Sequence, residues 1–100
     1  MKIVKINLAI APNQSLIYED EKNSYNLRIY QGKNKTTLAD VKINDIDVVL
    51  GTIVLANTPI IPYLYKCKDG NFFIATTNDE DIDYRKFGVN QFLYFGYFND

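Results

Sequence analysis

The apolar residues of this 100-residue chain come in short, mostly alternating runs, each closed by proline, glycine, asparagine or a cluster of charge. No run keeps a helical period over the length that a crossover helix needs, so parallel strand connections are not expected. What remains is antiparallel: an all-β sandwich or small barrel built from hairpins, with at most one short helical turn. One hundred residues make one such domain, spanning 1–100, and are too few for two.

The runs place the strands. Ile6–Ile10 alternates and stops at Pro12-Asn13, and Ser15–Tyr18 is closed by the charged stretch Glu19–Asn23. Tyr25, Leu27 and Ile29 share one strand face, as do Ala39, Val41 and Ile43 in the next apolar run. Asn44-Asp45 then turns the chain into a longer strand, Ile46–Leu55, in which Gly51 marks a bulge or a close backbone approach. Pro59 and Pro62 bracket an extended connection. Asp69-Gly70, between Tyr63–Lys66 and Asn71–Ala75, is the strongest hairpin signal in the chain. A helical turn is expected around Tyr84–Phe87, closed by Gly88, and a last strand over Gln91–Tyr97.

Composition removes most chemistry. The chain has no His and one Cys, Cys67. A catalytic thiol needs a paired base, so Cys67 reads as structural and requires no oxidising compartment. The carboxylates at Glu19-Asp20-Glu21 and at Asp40, Asp45 and Asp47 sit at strand ends, where solubility explains them. General acid–base work would need an apolar pocket that raises one pKa. Asp79–Asp83 begins like a calcium loop, but its sixth and twelfth positions are Tyr84 and Asn90, where glycine and a bidentate glutamate belong. We expect no enzyme, no metal and no cofactor. The eleven Lys and Arg residues are scattered and the net charge is −1, which argues against nucleic acid as a partner. No apolar run reaches membrane-spanning length, and the first residues lack the apolar centre of a signal peptide, so synthesis in the cytoplasm is expected.

The eight Tyr and six Phe are the remaining candidates for function. In Phe92–Phe98 both faces of the strand are apolar, which fits either a strand buried on two sides or one whose outer face docks on another subunit. Tyr63 and Tyr65 admit the same two readings. The candidate partner-binding residues are therefore Tyr63, Tyr65, Phe92, Tyr94, Tyr97 and Phe98.

The order of these features resembles the baseplate plug proteins of contractile-tailed bacteriophages. The likeness runs from Leu8 and Pro12-Asn13-Gln14 through Tyr25–Ile29, Leu38–Ile43 and Ile46–Gly51. It continues through Leu55, Pro59–Tyr63 and Gly70-Asn71-Phe72 to Tyr84, Phe87-Gly88 and Leu93-Tyr94. The resemblance implies a structural component of the virion, at the centre of a tail baseplate near hub and spike, with no active site to carry over. Its partners would be other tail proteins, with self-association open. The alternative is a small protein- or ligand-binding module, such as a host-takeover inhibitor or a glycan binder. A large exposed aromatic patch favours assembly, whereas a concave pocket with convergent polar groups favours a ligand.

Overall fold

A computed structural model describes residues 2–98, apart from the side chain of Leu64; Met1, Asn99 and Asp100 lie outside the described residues. Its strands are β1 (Ile3–Ile6), β2 (Gln14–Glu19), β3 (Ser24–Gln31), β4 (Thr37–Ile43), β5 (Ile46–Ile53), β6 (Gly70–Thr76) and β7 (Gln91–Tyr97). They form two antiparallel sheets, one ordered β1-β7-β6 and the other β2-β3-β4-β5. The two sheets pack across a shared core, so the all-β expectation resolves to a sandwich.

Strict alternation decides which faces meet. Tyr25, Leu27 and Ile29 of β3 are buried, and Ala39 and Val41 of β4 lie beside them. From the other sheet come Phe72 and Ile74 of β6 with Leu93 and Phe95 of β7. Each such side chain contributes about 1.5–3 kcal/mol on leaving water, which fixes the register, because a one-residue slip would expose the whole set.

Local turn chemistry acts where expected between β4 and β5. Asn44 and Asp45 both take positive φ, 53° and 66°, the geometry of a two-residue turn that matches strand twist. Gly51 has φ +67°, and its N–H is turned onto Asp40 Oδ1 at 2.7 Å. The β4–β5 register shifts at this point, so the bulge is real. The 3-10 turn at Tyr84–Lys86 also forms, followed by Gly88 at φ +81°. β5 ends at Ile53 rather than Leu55, because Val54 leaves the strand to bond Thr37 and enter the core.

Three expectations are corrected. The first strand is Ile3–Ile6, paired with Gly96–Leu93, and not Ile6–Ile10. Residues 7–11 are instead held by Gln14, whose amide accepts from Ala9 N–H and donates to Ala9 and Ala11 carbonyls. The expected hairpin about Asp69-Gly70 does not form either, since Leu64–Lys66 is a 3-10 turn, and with Tyr84–Lys86 this exceeds the single helical turn expected. One edge of β6 is taken by β7, and the other by residues 57–60, where the Asn57 and Ile60 N–H groups bond the Ile74 and Phe72 carbonyls. No edge remains for a hairpin partner. Gly70 serves a close approach, because a Cβ there would lie 2.5 Å from both the Gly96 carbonyl oxygen and the Phe95 ring.

Candidate assembly surface

The outer faces of the two sheets differ in kind. On the β2-β3-β4-β5 sheet, the middle strands present Asn26, Arg28, Asp40 and Lys42 outward, with half-buried Tyr30 and Leu38 at one end. This is a mixed face, charged across its middle, with Arg28 and Asp40 3.5 Å apart and the Arg28 guanidinium 4.3 Å from the centre of the Tyr30 ring. On the β1-β7-β6 sheet the corresponding positions are Phe73, Phe92 and Tyr94, all half-buried, with exposed Ile3 and Lys5 on β1. Phe73 and Tyr94 stack with ring centroids 5.5 Å apart, and the Lys5 ammonium sits 4.2 Å from the centre of the Phe92 ring. Water faces an aromatic sheet there. Such a face is what an assembly contact uses, since rigid rings give area at little entropic cost.

The six candidate residues are thereby spread over four places. Phe92 and Tyr94 lie on this aromatic face. Phe98 follows β7 and is exposed. Tyr63 and Tyr65 are exposed on the connection between β5 and β6, with ring centroids 5.9 Å apart. Tyr97 turns the other way, into the sandwich end, where its ring packs edge-on against Phe95. Phe73 belongs with the face and was hidden in the sequence beside Phe72. Only the strand phase, with Phe72 and Ile74 inward, tells the two phenylalanines apart.

Tyr97 ends a chain of hydroxyls. It donates to Asp20 Oδ2 at 2.8 Å, so the 2.5 Å contact with Tyr18 is a bond that Tyr18 donates. Burial, the bond from Tyr18 and the carboxylate of Asp20 together push the Tyr97 hydroxyl far above its ordinary range. Burial likewise pushes Tyr25 up to about 12, against the opposing Asn23 amide. At Asp20 burial pulls upward, but the Asn23 N–H, the Tyr97 hydroxyl and the Lys22 N–H outweigh it and hold the carboxyl below its ordinary value. A cleft of ≈ 620 Å³ opens here, bordered by Lys2, Glu19 and Lys22 as well. Its Tyr18, Tyr97, Asp20 and Asp69 already bond within the chain, Asp69 accepting from the Asn23 amide.

A pH consequence is expected. A tyrosine whose folded pKa lies above its unfolded value of 10.0 contributes stability in full below that pH. The contribution is lost as pH rises through the folded value, about 12 for Tyr25. In a phenolate absorbance titration of the folded protein, at least two of the eight tyrosines should stay protonated at about pH 11, and stability should fall above about pH 10. Ionisation of all eight together near the ordinary value, with the fold intact, would contradict the buried network.

Over residues 1–98 the sequence matches the family described as cyanophage baseplate Pam3 plug gp18. The chain belongs to this baseplate plug family of phage tails. Its role is structural, in a phage baseplate, and its place is the virion tail. No curated protein matches the sequence.

In this plug-family protein the other groups with reactive chemistry are tied into the fold. Cys67 is buried and burial pushes its thiol up; its Sγ lies 3.6 Å from the Tyr63 carbonyl and 3.5 Å from the Asn71 amide nitrogen. In the acidic loop, Asp79 accepts from Asn57, and Glu80 accepts from Lys86 and Asn90. Asp83 caps the turn that follows, and its bonds from the Arg85 side chain and backbone hold its carboxyl below the ordinary value. Buried Gln91 closes the loop, accepting from Asp83 N–H and donating to the Asp81 carbonyl. Among the described residues, no three His, Cys, Asp or Glu side chains are grouped to hold a metal ion.

Proposed function

We propose that this plug-family protein stands at the centre of the tail baseplate and docks on hub or spike proteins through the aromatic face of the β1-β7-β6 sheet. The observation that carries the reading is the difference between the two outer faces, one with Asn26, Arg28, Asp40 and Lys42 across its middle and one with Phe73, Phe92 and Tyr94 there. Burying three partly exposed rings against a partner supplies area without ordering long flexible chains. Tyr63, Tyr65 and Phe98 offer further exposed aromatic area to neighbours, and Tyr97 supports the end of the face from inside. The protein acts by packing and carries out no reaction. It is made in the host cytoplasm and joins the particle as the baseplate is assembled.

Mass spectrometry of purified tail particles tests this. The chain should be present at a copy number comparable to hub proteins. A Phe73→Lys, Tyr94→Lys double variant should fold yet drop out of the particle. A chain abundant in infected cells but absent from particles would overturn the baseplate placement and favour an inhibitor of a host protein. Incorporation of the double variant at the normal level would overturn the docking face.

A further inference from the structure

The two sheets present four edges, and three of them are guarded against a further strand. The outer edge of β6 is taken by residues 57–60. β5 shifts register twice against β4, turns the Gly51 N–H inward onto Asp40, and has its Val48 carbonyl occupied by the Lys66 ammonium. β1 is four residues long and carries Lys5 within it. Bulges, short length and lysine are the devices that keep strand edges from pairing. β2 has none of them. Gln14–Glu19 runs six residues against β3 without a register shift and contains no proline, glycine or lysine.

Hydrogen bonding leaves every second residue of this edge open. The Asn44 N–H bonds the Ser24 carbonyl, so on β3 the main-chain groups of Ser24, Asn26 and Arg28 point to β4, and those of Tyr25, Leu27 and Ile29 point to β2. Their partners on β2 are Tyr18, Leu16 and Gln14. The N–H and C=O groups of Ser15, Ile17 and Glu19 therefore point away from the sheet, and among the described residues none has a partner. The three side chains are exposed, Ile17 to 62%.

A second copy fits this edge. With two β2 strands antiparallel about a two-fold axis at Ile17, Ser15 of each copy lies opposite Glu19 of the other, and every one of these free groups is bonded. A slip of two residues leaves some of them unpaired, and a slip of one sets them against groups that β3 already holds. The side chains agree with that register. Ile17 meets Ile17 across the axis, and on the inner side half-buried Leu16 meets the partner's Tyr18. Ser15 also lies beside Arg28 on β3, so only this small residue separates Arg28 from the partner's Glu19, within the span of two long side chains. That charge match recurs on both sides of the axis and makes a second copy the occupant. The chain's net charge of −1 offers little repulsion to two copies approaching.

We propose that β2 is a self-association edge, which joins two copies of this chain in an isologous, reversible dimer whose sheet runs unbroken from β5 of one copy to β5 of the other. The edge is separate from the aromatic face of the β1-β7-β6 sheet and does not depend on the baseplate placement.

Sedimentation equilibrium of the full chain between about 10 and about 500 μM, with amide hydrogen exchange at both ends of that range, tests it. The average mass should climb from 11.5 kDa toward twice that value. Exchange of the Ser15, Ile17 and Glu19 amides should slow at least about threefold over the same range, while Leu16 and Tyr18, already bonded to β3, change less. Ile17→Lys, which sets two ammonium groups across the axis, should weaken the dimer at least about fivefold. Ile17→Pro removes a donor that β3 does not use and should do the same. Tyr65→Lys, exposed on the β5 flank, is the control and should leave the dimer unchanged. Thermal melts of the two lysine variants should stay close to the parent, because both sites are exposed. A monomer at every concentration would overturn the proposal, as would a dimer that both Ile17 variants leave intact or one that leaves the three amides unprotected. So would an association abolished by Tyr94→Lys but not by Ile17→Lys, which would move the contact to the aromatic face. Protection of these amides only by another tail protein, with the parent monomeric, would overturn the dimer and give the edge to a strand of that protein.

Discussion

Replacing Phe95 by alanine should lower the unfolding free energy by about 3–5 kcal/mol, the largest loss expected from any one truncation. Phe95 is fully buried at the centre of β7. Its ring centre lies 4.7 Å from that of Tyr25, 4.9 Å from Tyr97, 5.0 Å from Phe72 and 5.3 Å from Tyr18. It therefore joins both sheets, and each aromatic pair adds about 0.5–1.5 kcal/mol beyond the area buried. A domain of this length holds roughly 5–15 kcal/mol in all, so the variant would be only marginally folded. Tyr97→Phe offers a scale for comparison. It removes only the hydroxyl between Tyr18 and Asp20 and should cost about 1.5–3 kcal/mol, the range for a hydrogen bond to a charged group. Urea unfolding followed by circular dichroism measures both. A Phe95→Ala loss below about 1 kcal/mol would mean that the ring does not bridge the sheets as the packing requires. The consequence reaches function, because Tyr94 and Phe92 are held outward by the same strand that Phe95 anchors inward.

The strands that were legible in the sequence are those whose signal is local. β3, β4 and β7 carry clean alternation, and the Asn44-Asp45 turn and the Gly51 bulge are set by residues that tolerate positive φ. β1 was misplaced because its position is decided by pairing with Gly96–Leu93 at the far end of the chain, a partner no local window contains. Gly70 was misread for a different reason. A glycine needed to let another backbone approach looks the same in sequence as one needed for a turn. The candidate surface divided likewise. Tyr94 and Tyr97 are three residues apart on one strand and must face opposite ways, which the sequence contained. That Tyr63 and Tyr65 stand beside β5 depends on a connection whose path only packing reveals.

That path makes Asn71 the other position of large expected effect. It is buried on β6, and its Oδ1 accepts from the N–H groups of Ile61 and Phe72 at 3.0 and 2.8 Å. Its Nδ2 donates to the Ile61 carbonyl at 2.8 Å. Ile61 is itself fully buried, so one side chain satisfies both of its backbone groups where water cannot. Asn71→Leu fills similar space and leaves them unpaired, at about 1–3 kcal/mol for each group, or roughly 2–5 kcal/mol together. The loss should begin locally. Amide hydrogen exchange at Asn57 and Ile60, which tie the connection to β6, should accelerate before the β6–β7 pairing does. Asn71→Asp separates hydrogen bonding from shape. The buried carboxylate would have a raised pKa, so this variant should be less stable at neutral pH and regain stability as pH falls through that value. A leucine variant within about 0.5 kcal/mol of the parent would show that the connection is held by Ile60, Ile61 and Cys67 in the core and not by the amide clamp. If the clamp does hold, it also fixes where Tyr63 and Tyr65 stand, because Pro62 and Tyr63 directly follow the residue that Asn71 grips.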